Sequence, residues 1–371
     1  MRILLLTTHL DFGGIGIYCI SLAKALKDIG HDVRVASAGG ALVAQLDENS
    51  IQHIKLKLRT KSEFSPMLWK SRINLGSVFK EWRPDIVHAQ TRVTQVLAWM
   101  VFKKYKIAYV STCHGFFRPH IGRRLFGFWG RRVIAISDAV REHLVNDFKV
   151  KKENIRLINN GIDIDKFQRH ISEKEKKAYK LRIGIKKGPV IGVIARLSPV
   201  KGHKYLFLAA SILVKKYPDL QLLIIGDGHS KRDLIELAIS LGIGKSTFIE
   251  ESTLNTNVAL SVMDVFVLPS VQEGLGLSAL EAMAAGIPVV ASNVGGVYSL
   301  IKDSVTGLLV EPKDSQGISS AVSRVLDDKK LTLKLVENAR AMVSEKFLLS
   351  LMAKNVEALY KEVVDDKTQK P

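Results

Sequence analysis

Cysteine is nearly absent: only Cys19 and Cys113 occur in 371 residues. Two cannot make a disulfide framework, so a reducing compartment is expected. Long apolar runs are missing too. The longest, such as MRILLLTTHL and VIGVIA, have the length of strands and fall far short of a membrane span. Met1 leads almost at once into the first of them, which continues into a glycine turn and a patterned helix, so no secretory signal peptide is expected. Low-complexity tracts and solenoid-length repeats are absent, which leaves a globular chain whose length suits two domains. Acidic residues are in deficit, with 36 Asp and Glu against 55 Lys and Arg and a net charge of +19. The first 165 residues, with 26 basic against 14 acidic side chains, are the more basic part. Such a surface favours nucleic acid, anionic lipid or phosphorylated small molecules.

What is present is an alternation. RILLLTT, HDVRVAS, DIVHA, AYVSTCH, RVIAIS and IRLINNGID read as strands, with amphipathic helical patterns between them. In IGIYCISLAKALKDIG, for example, Ile20, Ala23, Leu26 and Lys27 keep helical spacing and Gly30 ends the helix. A second series follows: VIGVIARL, LQLLIIGDG, STFIEES, VFVLPS, PVVAS and GLLVEP. Strand–helix alternation predicts an α/β fold of two Rossmann-like domains, each a parallel sheet covered on both faces, facing across a cleft. The expected boundaries are 1–165 for the first domain, 166–188 for a charged linker, 189–349 for the second domain, and 350–371 for a helix returning to the first domain.

Between Asp264 and Lys302 the only charges are Glu273 and Glu281. VFVLPS is a strand, LSALEAMAA a helix ended by Gly286, and VQEGLG the turn between them. Gly274, Leu275 and Gly276 bring the backbone close to whatever binds there, and helix-terminal amides suit an anion or hydroxyls. Glu281 lies about 40° from Leu277 around the helix, at the margin of its buried stripe, so its carboxylate needs a partner. Two readings are open for this stretch alone. In one, Glu281 pairs with a lysine and Glu273 is a charge favoured by the helix dipole. In the other, both accept hydrogen bonds from the vicinal hydroxyls of a sugar and a ribose. IARLSPVKGHKYL places Arg196 and Lys201 after the first strand of the second domain, a pairing suited to a diphosphate. GDGHS, with Gly226 and Gly228, ends another strand of that domain, and DFGGIG, with Gly13 and Gly14, opens a helix in the first domain where phosphate oxygens fit.

E-x7-E, R-x4-K and the N-terminal Gly-Gly turn together resemble the retaining family 4 (group 1) glycosyltransferases, which have the GT-B fold. The resemblance runs nearly end to end and includes NNGID (Asn160, Gly161, Asp163) and ASNVGG (291–296). It implies that Glu281 binds the nucleotide ribose and that Glu273 contacts the transferred sugar. It implies that Arg196 and Lys201 neutralise the diphosphate, that the turn at Gly13 and Gly14 approaches it from the other side, and that His114 in STCHG stands near the sugar. Ala195 replaces a common glycine, and Gly16 stands where many relatives carry a glutamate, which leaves that position without an acceptor role. Physical chemistry agrees: an oxocarbenium-like transition state builds negative charge on the departing phosphate, which these cations and amides can stabilise. No His, Cys and carboxylate cluster at ligand spacing stands out, so no metal and no cofactor beyond the sugar-nucleotide co-substrate is expected.

Three signals are set aside. GIGKST lacks the P-loop glycine, having Ile239; GGIGIYC has Cys19 in the third glycine position of a dinucleotide fingerprint; and Cys113 and His114, as strand neighbours, point to opposite faces. Two stretches of the first domain interleave cations with large apolar groups: FFRPHIGRRLFGFWGRR, with Arg118, Arg123, Arg124 and Trp129, and KLKLRTKSEF, with Lys55, Lys57 and Arg59. Both suit an anionic membrane surface or a lipid-linked acceptor, and imply a peripheral protein on the cytoplasmic face of the plasma membrane. The expected activity is therefore a retaining, metal-independent hexosyl transfer to a glycan or glycolipid in cell-envelope or lipopolysaccharide synthesis. The rivals are a sugar-nucleotide epimerase, which would act on donor alone, a two-lobed sugar-binding protein, and a nucleic-acid binder, which would leave the two glutamates unused.

Overall fold

The computed structural model describes residues 1–60, 62–63 and 65–366. Lys61 and Phe64 of the second basic stretch, and 367–371 of the expected C-terminal helix, lie outside the described residues. The chain divides into two compact units, Met1–Gly161 with the segment from Leu349 onward, and Ile162–Leu348.

The first unit is built on seven strands: β1 (Arg2–Leu6), β2 (Asp32–Ser37), β3 (Gln52–Lys55), β4 (Ile86–Ala89), β5 (Ala108–Cys113), β6 (Val133–Ala135) and β7 (Ile155–Leu157). All pair in parallel, in the order β3-β2-β1-β4-β5-β6-β7, so the winding reverses between β1 and β4. Central strands buried on both faces need continuous apolar runs, which is what RILLL and IVHA provide. Leu4, Leu6, Val87 and Ala89 point into one core with Leu68, Leu75 and Phe79 of the helix Pro66–Glu81 and Val96 and Leu97 of the helix Arg92–Tyr105. His88, between Val87 and Ala89, points the other way. There the helix Gly14–Asp28 packs against the final helix, Leu349–Asp365.

Tyr360 pins that last helix to the sheet. Its hydroxyl lies 2.6 Å from Nδ1 of His88, whose Nε2 lies 2.7 Å from the Thr112 hydroxyl. All three side chains are buried. Burial pushes the His88 imidazole down to about 3, so it is neutral at physiological pH.

The second unit has six strands: β8 (Val190–Ile194), β9 (Gln221–Ile225), β10 (Thr247–Glu250), β11 (Val265–Leu268), β12 (Val289–Ser292) and β13 (Leu308–Val310). They too are parallel, ordered β10-β9-β8-β11-β12-β13, with the reversal between β8 and β11. The stretch 166–188, expected as a linker, is largely helical and belongs to this unit: its helices are Ile164–Gln168 and Glu173–Ile183. Ser172 and Glu175 form a capping box at the start of the second. Glu, Lys and Ala favour helix as readily as linker, and the cap resolves the ambiguity. Among the described residues no helix is long and apolar enough to cross a membrane.

Tyr360→Phe leaves one His88 nitrogen buried without its partner, at a cost of roughly 1–3 kcal/mol. It is expected to lower the urea midpoint of the first unit, followed by near-ultraviolet circular dichroism; an unchanged midpoint would deny the hydroxyl its anchoring role.

Candidate functional site

In a parallel sheet every strand ends at one edge, and in the second unit three loops meet at that edge. The loop after β8 carries Arg196 and Lys201, the turn after β11 carries Glu273 to Gly276, and the segment after β12 carries Gly295 and Gly296. Backbone bonds tie them together: the amides of Val271 and Gln272 donate to the Val200 carbonyl at 2.8 and 3.3 Å, and Gly296 donates to the Glu273 carbonyl at 2.9 Å. Side chains complete the join. Lys201 Nζ lies 2.6 Å from Glu273 Oε2, which also accepts from Ser270 at 3.0 Å. An ion pair with a lysine, considered for Glu281, is thus made by Glu273. The arrangement leaves an ion pair, not a bare carboxylate, at the lip of the turn.

Gly276 has φ 103°, left-handed backbone that lets the chain swing from the turn directly into the helix Leu277–Ala285. That helix begins with amides that no earlier turn can occupy. Arg196 is exposed, and among the described residues its guanidinium has no hydrogen bond or ion pair. Gly226 lies against the same loop: a Cβ there would come within 2.0 Å of the Ala195 carbonyl oxygen. Its glycine therefore has a packing reason, independent of any ligand. Gly274 is half-buried and Leu275 is buried beneath the turn.

Glu281 is 9% exposed. The Thr256 hydroxyl donates to its Oε2 at 3.3 Å. Burial raises its carboxyl to about 7, against the pull of the Lys166 ammonium and the Thr256 bond. Lys166 itself donates to the Leu254 carbonyl at 2.7 Å. The carboxyl is thus under-supplied with donors, the condition in which a ligand's hydroxyls are most favourable.

In the first unit, His114 follows β5 and Gln90 follows β4, so neighbouring strands bring them together. Gln90 Oε1 lies 2.9 Å from His114 Nε2, and the Tyr18 ring meets the imidazole edge-on at 4.7 Å. With the amide oxygen facing it, Nε2 carries the hydrogen and Nδ1 keeps its lone pair. Burial pushes the imidazole down to about 3, which fixes it neutral. Burial also pushes the Cys113 thiol up to about 12, removing it as a nucleophile. Gly13 caps the helix that follows β1, and Gly13 and Gly14 are exposed there.

The basic stretches divide. Lys55, Lys57, Arg59 and Arg118 are exposed, and Arg59 reaches Asp11 beside the glycine turn at 3.3 Å. Arg124 is exposed but donates to the Asp147 carbonyl at 2.7 Å. Arg123 is half-buried, stacked 4.3 Å over Phe117. Trp129, expected at a membrane or acceptor surface, is also half-buried and packs edge-on against Phe148 at 5.7 Å. Gln90, Tyr18, Thr256 and Lys166 escaped the sequence reading. Only Gln90 left a trace there, as a polar residue directly after an apolar strand. An Asp-x-Asp triplet was also passed over: Asp163-Ile164-Asp165 opens the helix Ile164–Gln168. Among the described residues no group of three metal-ligating side chains gathers.

Two alpha/beta units with loops converging on the carboxyl edge of a parallel sheet have the layout in which open alpha/beta sheets place their ligands, and comparison with known proteins gives the family. Residues 174–342 match the profile of the glycosyl transferases group 1 and residues 12–166 that of glycosyltransferase family 4. The chain belongs to the group 1 glycosyltransferases and has their GT-B fold class. It is 29% identical over 373 residues to the glycosyltransferase MJ1607 of Methanocaldococcus jannaschii, covering 94% of each chain. It is likewise 29% identical over 314 residues to the Escherichia coli UDP-Gal:alpha-D-GlcNAc-diphosphoundecaprenol alpha-1,3-galactosyltransferase, covering 80% of each. The structure of Anabaena Alr3699/HepE in complex with UDP-glucose shares the fold, with a TM-score of 0.85 at 23% identity, covering 97% of this chain and 99% of that one.

The Glu281 environment predicts a pH signature. Its folded value of about 7 exceeds the ordinary 4.5, so the folded state holds an extra proton between these values. The stability this adds is complete below pH 4.5 and is lost as pH rises through 7, a span of roughly 3 kcal/mol. Glu281→Gln is expected to flatten that part of the melting-temperature profile; a variant that keeps the wild-type slope would place the titration elsewhere.

Proposed function

We infer that this group 1 glycosyltransferase retains anomeric configuration, moving a hexose from a nucleoside-diphosphate sugar to a hydroxyl of a glycan or lipid-linked acceptor in cell-envelope polysaccharide or lipopolysaccharide synthesis. The observation that carries the reading is the convergence of Lys201, Glu273 and a free helix N-terminus at one sheet edge, with Arg196 on the same loop as Lys201. Arg196 and the helix amides take the diphosphate. Lys201 moves from its resting partner toward the departing phosphate, which frees Glu273 to accept from the sugar's hydroxyls. Glu281 accepts from the ribose, whose two hydroxyls supply the donors that Thr256 alone does not. Glu273 is occupied in turn by Lys201 and by the sugar's hydroxyls, so attack from the leaving-group face, with the phosphate taking the acceptor proton, is the reading adopted. The loop cations supply the charge that a metal would otherwise bring.

In the first unit, neutral His114 offers Nδ1 as an acceptor to a sugar hydroxyl, held in that state by Gln90 and Tyr18. The turn at Gly13 and Gly14 contributes amides to phosphate oxygens. The exposed cations Lys55, Lys57, Arg59, Arg118 and Arg124 attract the phosphates of a lipid-linked acceptor at the cytoplasmic face of the membrane, with Arg123 and Trp129 buttressing the second stretch from inside. The Escherichia coli relative is named for a diphosphoundecaprenol acceptor and a UDP-sugar donor, and the Anabaena structure holds UDP-glucose, which supports both halves of this reading.

Two substitutions test it. Glu281→Ala is expected to weaken nucleotide binding by roughly 1–3 kcal/mol in titration calorimetry; unchanged affinity would remove the ribose role. His114→Ala is expected to reduce transfer by far more than it weakens donor binding; equal losses would move the imidazole away from the reacting centre.

A further inference from the structure

Helix Pro66–Glu81 has one face in the core and one face that nothing covers. Leu68, Ser71, Leu75 and Phe79 are buried, while Trp69 is 57% and Ile73 60% exposed on the opposite side. Met67, two residues before Trp69, is exposed as well. A tryptophan and an isoleucine four residues apart form an outward stripe, not scattered surface apolars. Cations frame it. Lys70 and Lys80 are exposed on the same helix, and the Arg72 guanidinium lies 4.6 Å over the Trp69 ring. A groove of about 530 Å³ runs along this flank, lined by Arg72, Ile73, Lys80, Arg83, Lys104 and Tyr105. Glu81, the last residue of the helix, is the only acidic residue in 66–83 and 92–107, the two segments that form this flank.

We propose that this helix is a membrane-docking face for an anionic phospholipid surface, with Trp69 and Ile73 entering the headgroup layer and the groove cations receiving lipid phosphates. The excess of positive charge selects the partner. A second copy would bring the same positive stripe against itself, and a nucleic acid would leave the apolar pair in water. An anionic bilayer satisfies both parts at once, because its interface accepts a tryptophan ring and its phosphates accept the cations. The inference rests on the peripheral-membrane reading for its partner, but it places the contact on the outer side of a helix whose inner side adjoins the acceptor stretch, where Ser71 donates to the Lys57 carbonyl at 3.4 Å.

Co-sedimentation of the full chain with vesicles tests it. The protein is expected to partition onto phosphatidylcholine vesicles containing phosphatidylglycerol and not onto phosphatidylcholine alone. Lys70→Gln with Lys80→Gln is expected to weaken partitioning by roughly 25-fold, at about fivefold per charge near an anionic surface. Trp69→Ser with Ile73→Ser should abolish it while leaving the circular dichroism melt unchanged, since both side chains face solvent. Arg118→Gln with Arg124→Gln should reduce acceptor use without changing partitioning. Undiminished binding by the Trp69 and Ile73 variant, or loss confined to the Arg118 and Arg124 variant, would overturn this face while leaving peripheral attachment intact. Absence of binding to anionic vesicles would overturn both. Dimerisation or salt-dependent duplex binding that depends on Trp69, in place of vesicle binding, would overturn the lipid assignment.

Discussion

A parallel sheet delivers every loop of one kind to a single edge, and each unit draws its chemistry from that constraint. In the second unit, β8, β11 and β12 are neighbours although they are far apart along the chain. Lys201 therefore reaches a carboxylate 72 residues away, and the Gly296 amide reaches the carbonyl of the same residue. In the first unit the adjacency of β4 and β5 does the same for Gln90 and His114. Separating the strands would leave little more than solvated side chains on loops, since apart from the Ser270 hydroxyl on Glu273 these contacts are made across the sequence.

The two glutamates show how one helix and its turn can hold carboxylates in opposite conditions. Glu273 is half-buried and paired with Lys201, a partner it can exchange for another. Glu281, eight residues on, is buried with a single hydroxyl for company and titrates near neutrality. The difference comes from the loop geometry around each, because composition nearby is uniformly small and apolar. Unequal satisfaction of this kind gives binding its driving force. A ligand's hydroxyls gain more where the protein has supplied too little.

Much of the fold was legible because doubly covered strands have to be written as unbroken apolar runs, and RILLL, VIGVI and VFVL are such runs. The linker was misread for a physical reason: Glu173 to Lys180 has a composition that suits solvent and helix equally, and only the Ser172 cap distinguishes them. At the site, the residue types and spacings of Arg196, Lys201, Glu273 and Glu281 were visible. The pairing was not, because which carboxylate meets which cation depends on strand order. Gln90 and Tyr18 were hidden for the same reason. Trp129 looked like a surface aromatic among arginines, yet Phe148 and the backbone of its own loop draw it inward.

The second unit is one unbroken stretch of chain, whereas the first is assembled from two pieces that flank it. During synthesis the usual order of completion is therefore inverted. Residues 162–348 can reach their final form as soon as they emerge, while the sheet begun earlier keeps His88 and its apolar surroundings without a lid until Leu349–Asp365 arrives. The nascent protein carries a half-finished domain ahead of a finished one, and the helix Leu349–Asp365, which emerges after both, is the one that closes it.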